Sequence, residues 1–322
     1  MNQHLASYQR ITLSCIINGK VLTYNNAMSY WAYQVDQFVP LDQVSIALND
    51  VGFVMGVTVT DQCRTYGQKP FRLPEHIKRF FRSCELCGVN CPANETELSQ
   101  IIDKLLQRNL PLAEPAAEWS IVWFATPGQV GSFLGQPGTV REAKPRLIVY
   151  AFPLDVRRFP SYYETGAELR LARNVTSLPA NTIHPHAKQR NRLHWWLAQG
   201  EVKMRFRTAE ALLLDGEGFV TETASCNLVL VRAGQVLSPR RSRILQGISL
   251  QVVEELCVKE GIRFVEADLR EGDLATADEA ILCSTPFGIA PVGLLEGRKL
   301  PIDGPVFTRL WTEWSKFTCP HP

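Results

Sequence analysis

No run of apolar residues in this chain reaches the roughly 18 that a membrane-crossing helix needs, and no block of like charge stands out along it. The first absence predicts a protein without membrane spans. The second, with 34 basic residues against 32 acidic ones and a formal charge of +2, leaves no long-range field to draw in nucleic acid or an acidic lipid surface. The longest basic cluster, Arg240-Arg241-Ser-Arg243, reads as a solvated loop. Met1 to Arg10 is polar and only a short apolar run follows, so the hydrophobic core of a secretory signal is missing as well. A cytoplasmic protein that handles small molecules is the expectation.

A disulfide framework is absent too. Nine cysteines, an odd number, lie scattered along the chain, which suits reduced thiols. Cys84 and Cys87, with Cys91 and His76 nearby, share helical spacing with Ile77, Phe80 and Phe81, so the thiols extend an apolar stripe. His184-Pro-His186 offers two imidazoles, an incomplete ligand set, and no metal is expected. Without secretion, Asn94-Glu-Thr96 and Asn174-Val-Thr176 have no meaning as glycosylation triplets. There is no internal repeat and no low-complexity tract.

What is present is a chain of 322 residues, 45% hydrophobic, long enough for two cores at roughly 100–200 residues per domain. The pattern predicts an N-terminal α/β domain over 1–152, a linker at 153–163 where prolines interrupt any periodicity, and a C-terminal α/β domain over 164–322. Ile11–Ile17, an Asn18-Gly19 turn and Val21–Thr23 read as a hairpin. Strands are expected at Phe53–Arg64, Trp119–Ala125 and Leu147–Phe152, with helices at Pro74–Gly88 and Leu98–Asn109, the latter behind an Asn94-x-x-Glu97 capping box. In the second half the spacing predicts strands at Glu168–Arg173, Ala211–Leu214, Phe219–Thr223, Asn227–Val231, Gln235–Leu237, Ile262–Glu266 and Glu279–Cys283. Helices are expected at Gln189–Glu201, Ile248–Lys259 and Pro305–Phe317.

Three stretches of the second half carry chemistry when taken together. Lys188 stands between a Pro/Asn/His loop and the Gln189–Glu201 pattern, where an amine on a long stem can face a cleft. Glu222 lies among small and β-branched residues, where a buried carboxylate wants a cationic partner. Gly247-Ile248-Ser249 opens a helix, offering backbone N–H groups, a hydroxyl and the positive end of the helix dipole to an anion. Arg79, four residues after Glu75 on a helix of the first half, can clamp the same anion across the domains. One amine, one carboxylate and one phosphate cradle are what pyridoxal 5'-phosphate requires: a Schiff-base partner, a group that keeps its ring nitrogen protonated, and an anion site. Singly, each feature also reads as a surface lysine, a structural salt bridge or a turn glycine.

In this order the motifs resemble the fold-type IV pyridoxal-phosphate enzymes, the class IV aminotransferase family of branched-chain aminotransferases, D-amino-acid aminotransferases and aminodeoxychorismate lyases. The resemblance runs from Ile16-Ile-Asn18-Gly19 through Asn49-Asp50-Val-Gly52, Arg72-Leu-Pro-Glu75-His76-Ile-Lys-Arg79 and Asn181-Thr-Ile to Lys188. It continues through Glu222-Thr-Ala-Ser-Cys-Asn227, Leu245-Gln-Gly247-Ile-Ser249, Ala277-Asp278-Glu279 and Ser284-Thr285. It implies a two-domain fold with the cofactor between the domains and Lys188 as the Schiff-base lysine. Glu222 would be the pyridine-nitrogen partner, with Arg79, Ile248, Ser249 and Thr285 as phosphate contacts. It further implies a homodimer that moves an amino group from a branched-chain-like or D-amino-acid-like donor to a 2-oxo acid.

Departures fall on the substrate side. Val57-Thr58-Val59-Thr60-Asp61 replaces the family's acidic or small residue, aromatic and glutamate, and the usual carboxylate-binding arginines are not visible in Trp119–Gly128. Arg64, Arg190 and Arg192 are the alternative anchors, each with a structural reading beside it. An aromatic stretch, Tyr30-Trp-Ala-Tyr33, is read as padding a dimer interface or closing over a cleft. A lyase of the aminodeoxychorismate type would share every cofactor residue, and a non-catalytic dimeric relative would have lost Lys188 or Arg79, both of which are here.

Overall fold

The computed structural model describes residues 12–17, 20–25 and 29–318. Strands β1 (Thr12–Ile17) and β2 (Lys20–Asn25) form a separate antiparallel pair in which Ile17 faces Lys20, a register that leaves two residues for the turn. Ile11 and the Asn18-Gly19 turn itself lie outside the described residues. No helix among the described residues is long and apolar enough to cross a membrane.

The first half is built on an antiparallel sheet of β3 (Trp31–Gln34), β4 (Gln37–Pro40), β5 (Val59–Tyr66), β6 (Lys69–Pro70), β7 (Trp119–Thr126) and β8 (Arg146–Pro153), in the order β4-β3-β8-β7-β5-β6. All eight residues of β7 are buried. Its odd positions Trp119, Ile121 and Trp123 meet Ile77 and Phe80 of α2 (Leu73–Cys87) and Leu98, Ile102 and Leu105 of α3 (Glu95–Asn109). Helix α2 stops where Gly88 turns left-handed at φ 63°. Helix α3 starts from the expected box, with Asn94 accepting from the Glu97 N–H and Glu97 from the Asn94 N–H. Cys84 is buried in this core, as its spacing predicts.

One expectation is corrected here. Phe53–Arg64 is not one strand: Asp50 accepts a hydrogen bond from the Gly52 N–H and caps a single helical turn, α1 (Val51–Val54), and Gly56 at φ 71° turns the chain before β5 begins. The aromatic stretch Tyr30–Tyr33, for which no element is expected from the sequence, is largely strand. It is β3, paired to β8, with the Tyr30 ring set edge-on to Trp119 at 5.2 Å. Buried Asn109 pins it by accepting from the Trp31 N–H at 2.7 Å and donating to the Trp31 carbonyl at 2.9 Å.

Segment 153–163 is helical rather than irregular. A 3-10 turn at Val156–Arg158 leads into α4 (Pro160–Glu164), whose Tyr162 and Tyr163 pack on the second core. We propose that the division between the two domains lies within these residues. Beyond it the elements follow as β9 (Ala167–Leu171), α5 (Leu193–Lys203), β10 (Glu210–Leu214), β11 (Val220–Thr223), β12 (Asn227–Arg232), β13 (Gln235–Pro239) and α6 (Ile248–Lys259). The chain then forms β14 (Phe264–Ala267), α7 (Glu271–Ala275), β15 (Glu279–Ser284), β16 (Gly288–Leu295), β17 (Arg298–Lys299) and α8 (Pro305–Thr318).

This second sheet runs β11-β10-β9-β16-β15-β12-β13-β14, and β11 also pairs with β12 through a single couple, Glu222 with Asn227. Six strands thereby close into a ring. Leu169, Leu212, Val220, Leu228, Leu282 and Val292 form one apolar core of this sheet, while Val229, Ile281 and Ile289 pack against α6 and α8. At Gly288, φ 82°, an added Cβ would lie 2.4 Å from the Trp314 Nε1, so only glycine allows α8 to seat.

Asn109→Ala removes both partners of Trp31 and should cost about 2 kcal/mol. A urea midpoint that does not move would show that β3 is held by packing alone.

Candidate active site

The extended segment around Lys188 is stitched to the first sheet. The Thr60 N–H donates to the Lys188 carbonyl at 3.0 Å, the Arg190 N–H to the Thr58 carbonyl at 2.9 Å, and the Lys188 N–H to Ser83 Oγ at 3.1 Å. Gln189 bridges Val59. These bonds correct the expected helix Gln189–Glu201: a backbone paired with β5 cannot also wind, and α5 begins only at Leu193. Periodicity misses this because the apolar residues after Leu193 extend a helical pattern backwards over residues whose hydrogen bonds go elsewhere.

Lys188 faces a cavity of about 210 Å³ between the two halves. Around the same cavity lie Arg79 from α2, Glu222 from β11, Gly247 with Ile248 and Ser249 at the head of α6, and Thr285 after β15. All seven residues named from the sequence are thus brought together. Burial, reinforced by the Arg79 charge, pushes the Lys188 amine down to about 8. Burial likewise pushes the Glu222 carboxyl up to about 7, against the opposing pull of the Leu245 N–H and the Lys188 charge.

Glu222 is held but not neutralised. Its Oε2 accepts from Asn227 Nδ2 at 2.8 Å and its Oε1 from the Leu245 N–H at 3.2 Å, and among the described residues no cation lies within ion-pair distance. Asn227 Nδ2 also donates to the Leu245 carbonyl at 2.9 Å. A Cβ on Gly247 would fall 1.9 Å from Asn227 Oδ1, so a side chain there would evict the residue that orients Glu222. Gly247 caps α6 without a side-chain bond, and the first N–H groups of the helix have no intrahelical acceptor.

Arg79 is anchored by a residue that the motif reading passed over. Its Nε and Nη2 donate to Asp61 Oδ2 and Oδ1 at 2.8 and 2.7 Å, its Nη1 donates to the Gln246 carbonyl at 3.1 Å, and His76 Nδ1 lies 2.9 Å from Asp61 Oδ1. Burial alone would raise the Asp61 pKa. The Arg79 charge and hydrogen bonds, with the His76 hydrogen bond, override it and hold the carboxyl well below the usual range. Burial lowers the His76 pKa in spite of Asp61, which leaves the imidazole neutral. The available signal was alternation: Val59, Asp61, Cys63 and Thr65 share the buried face of β5, where a carboxylate demands a cation.

Of the three arginines put forward as carboxylate anchors, two are occupied elsewhere. Arg64 is buried, donates from Nη1 to the Pro286 carbonyl at 2.6 Å and lies over the Tyr66 ring at 4.0 Å. Arg190 lies over Phe124 at 5.1 Å. Arg192 alone borders the cavity.

The cavity therefore suits a ligand with a carbonyl for the amine, a basic ring nitrogen for a carboxylate that lacks a cation, and a phosphate for the helix head and Arg79. The donor set and the unpaired Glu222 fit pyridoxal 5'-phosphate on this chain's own geometry.

A family model described as Amino-transferase class IV matches residues 58–295. A provisionally named branched-chain-amino-acid aminotransferase of Methanocaldococcus jannaschii is 30% identical over 267 residues, 83% of this chain and 88% of its own length. A D-alanine aminotransferase of Staphylococcus aureus is 27% identical over 291 residues, 88% of this chain and 96% of its own. Among solved structures, a branched-chain amino acid aminotransferase of Escherichia coli superposes with a TM-score of 0.80 at 23% identity, covering 89% of this chain and 94% of the other. The branched-chain amino acid aminotransferase of Thermobaculum terrenum, solved in its PLP form, gives a TM-score of 0.76 at 20% identity, covering 91% of this chain and 95% of the other.

Asp61→Ala leaves Arg79 as an unpaired, nearly buried charge, and a loss of roughly 3–5 kcal/mol is expected in chemical denaturation. Because the folded pKa is depressed, the wild-type pair contributes fully above the unfolded carboxyl value of about 4 and fades as pH falls below it. A variant as stable as wild type at pH 7, or a gap that widens on acidification, would contradict this account.

Proposed function

The chain belongs to the class IV aminotransferase family and is a pyridoxal-phosphate-dependent aminotransferase, and we propose that Lys188 is the residue its cofactor attaches to. The observation that carries this reading is the convergence of the Lys188 amine, the cation-free Glu222 carboxylate and the head of α6 on one cavity. In this reading an amino acid, branched-chain-like or D-amino-acid-like, donates its amino group to a 2-oxo acid.

When bound, pyridoxal phosphate supplies an electron sink for the charge that develops at the substrate α-carbon. Everything else falls to the protein. Glu222, fixed by Asn227 and the Leu245 N–H, accepts a hydrogen bond from the ring nitrogen and keeps it protonated. Arg79, the N–H groups of Ile248 and Ser249, and the Ser249 and Thr285 hydroxyls hold the phosphate; each charge-assisted bond of Arg79 contributes about 1.5–3 kcal/mol. Lys188 Nζ would be the group that takes the proton from the substrate α-carbon and delivers it to the carbon on the far side of the substrate nitrogen. A pKa of about 8 suits this task, since the amine can be neutral as a nucleophile and can still carry a proton in transit.

A second copy of the chain is proposed as partner. Phe53 and Met55, in and just after α1, and Leu193, Trp196 and Leu197 on α5 are exposed, Trp196 by 77%. The two groups adjoin where the position of a Gly56 Cβ is 3.6 Å from Asn191. Exposed apolar surface of this kind calls for a cover. Cys63, Cys84, Cys87, Cys91, Cys226, Cys257 and Cys283 are free thiols, which supports a cytoplasmic location.

Borohydride treatment of the cofactor-loaded protein should fix pyridoxal phosphate on the peptide containing Lys188, and Lys188→Ala should abolish both labelling and turnover. In the cofactor-free protein, amine-reactive labelling of Lys188 should rise with pH around a midpoint near 8, against about 10.4 for an exposed lysine. Label on another lysine sinks the assignment, and pyruvate released from a donor without any 2-oxo acid would point to a lyase instead. Trp196→Glu should convert a dimer into a monomer in sedimentation equilibrium; a wild-type monomer would refute the proposed interface.

A further inference from the structure

Three guanidinium groups border the cavity, and two of them are committed. Arg79 is paired with Asp61 at 2.7 Å. Arg243 is paired with Asp215 and, at 2.9 Å, with Glu217, and it lies over the Phe219 ring at 4.0 Å. Arg192 is the third. Among the described residues its guanidinium makes no ion pair and no hydrogen bond, although it sits near enough to Lys188 and Glu222 for their charges to be felt. It is solvent-exposed, lines the cavity and stands one residue ahead of α5.

Charge narrows what it can receive. Glu222 is the one carboxylate among the cavity-lining residues, and the transaminase reading assigns it to the cofactor's ring nitrogen. That reading also assigns the cofactor's phosphate to Arg79 and the head of α6. His194, the next polar side chain along the same wall, has its pKa lowered by burial and by the Arg192 charge, and an imidazole in either protonation state offers no negative charge to its neighbour. A guanidinium left bare on a cavity wall matches the planar fork of a carboxylate. Every amino-acid donor and 2-oxo acid acceptor carries such a carboxylate beside the reacting carbon.

We propose that Arg192 is the substrate-carboxylate anchor of this enzyme, selecting α-amino acids and 2-oxo acids over amines that lack the carboxylate. The proposal rests on the transaminase reading and adds to it the specificity-determining residue, in place of the arginines that the Trp119–Gly128 stretch lacks.

The test is calorimetric titration of the cofactor-loaded protein with 4-methylpentanoic acid and with its neutral amide, together with the pyridoxal phosphate dissociation constant measured from absorbance. Wild type should bind the acid more tightly than the amide. Arg192→Gln should weaken the acid at least 10-fold with little effect on the amide, and Arg192→Lys should fall between, because the ammonium keeps the charge but not the fork. Both variants should bind cofactor within threefold of wild type. Undiminished acid binding by Arg192→Gln would overturn the proposal. So would a loss of cofactor affinity with the acid preference intact, which would make Arg192 a cofactor contact. A wild type that loads cofactor but does not distinguish acid from amide sinks this proposal alone, whereas a wild type that never loads cofactor sinks the transaminase reading and this proposal with it.

Discussion

The second sheet closes through Asn227, and the geometry of the site follows from that closure. Its backbone pairs with Glu222 to join β11 to β12, and its amide donates both to the Glu222 carboxylate and to the Leu245 carbonyl. One side chain therefore fixes the seam of the ring, the orientation of the carboxylate and the approach of the chain to α6. Gly247 is forced by the same residue, since no Cβ fits against Asn227 Oδ1. Glycine at this cap removes the competing side-chain cap that a serine or aspartate would supply and leaves the first N–H groups of α6 for a ligand. A requirement of sheet closure and a requirement of anion binding are met by one substitution-intolerant contact.

The electrostatics are arranged in opposition to burial. Lys188 and Glu222 each carry a pKa moved toward the neutral form because water is scarce around them and neither has an ion-pair partner. Asp61 is buried as well yet moves the other way, since Arg79 is bonded to both of its oxygens. The distinction separates groups whose charge is structural from groups whose charge is used. A carboxylate and an amine that were paired with each other would be more stable but could neither attack a carbonyl nor protonate a ring nitrogen.

Much of this was legible in the sequence. The helix Ile248–Lys259 agrees with its expected bounds, and the capping box at Asn94 and the stop at Gly88 are local chemistry that needs no tertiary information. The seven residues named around Lys188 meet at one cavity: Lys188, Glu222, Arg79 and the Gly247-Ile248-Ser249 turn carried signals that gained force only together, and Thr285 was named by the family resemblance alone. What was not legible depends on long-range pairing. Strand β16 contains Pro291, Gly288 and Gly293, residues that argue against a strand, and it forms because β9 and β15 flank it on both sides. The aromatic Tyr30–Tyr33 stretch was not legible as a strand because its partner strand lies far along the chain, with Tyr33 opposite Val149. Asp61 was read as a departure from a motif, and its role becomes visible only when α2 places Arg79 beside β5.

Lys188 belongs in sequence to the second half of the chain but takes its backbone hydrogen bonds from β5 and α2 in the first. Glu222 and the head of α6 belong to the second sheet. The relative position of the amine and the carboxylate is thus set by how the two halves dock, and the docking is itself hydrogen-bonded at the site: Arg79 to the Gln246 carbonyl and Arg64 to the Pro286 carbonyl both cross it. Each of these carbonyls adjoins a residue assigned to the phosphate, Gly247 in one case and Thr285 in the other. Arginines of the first half therefore hold the two loops of the second in place, and one of them, Arg79, also faces the cavity where the anion is proposed to bind. An anion taken up there would add a further bridge between the two halves at the phosphate end. Arg192, the residue that precedes α5, lines the same cavity and makes no ion pair among the described residues, so its charge is left for a ligand and not spent on the docking.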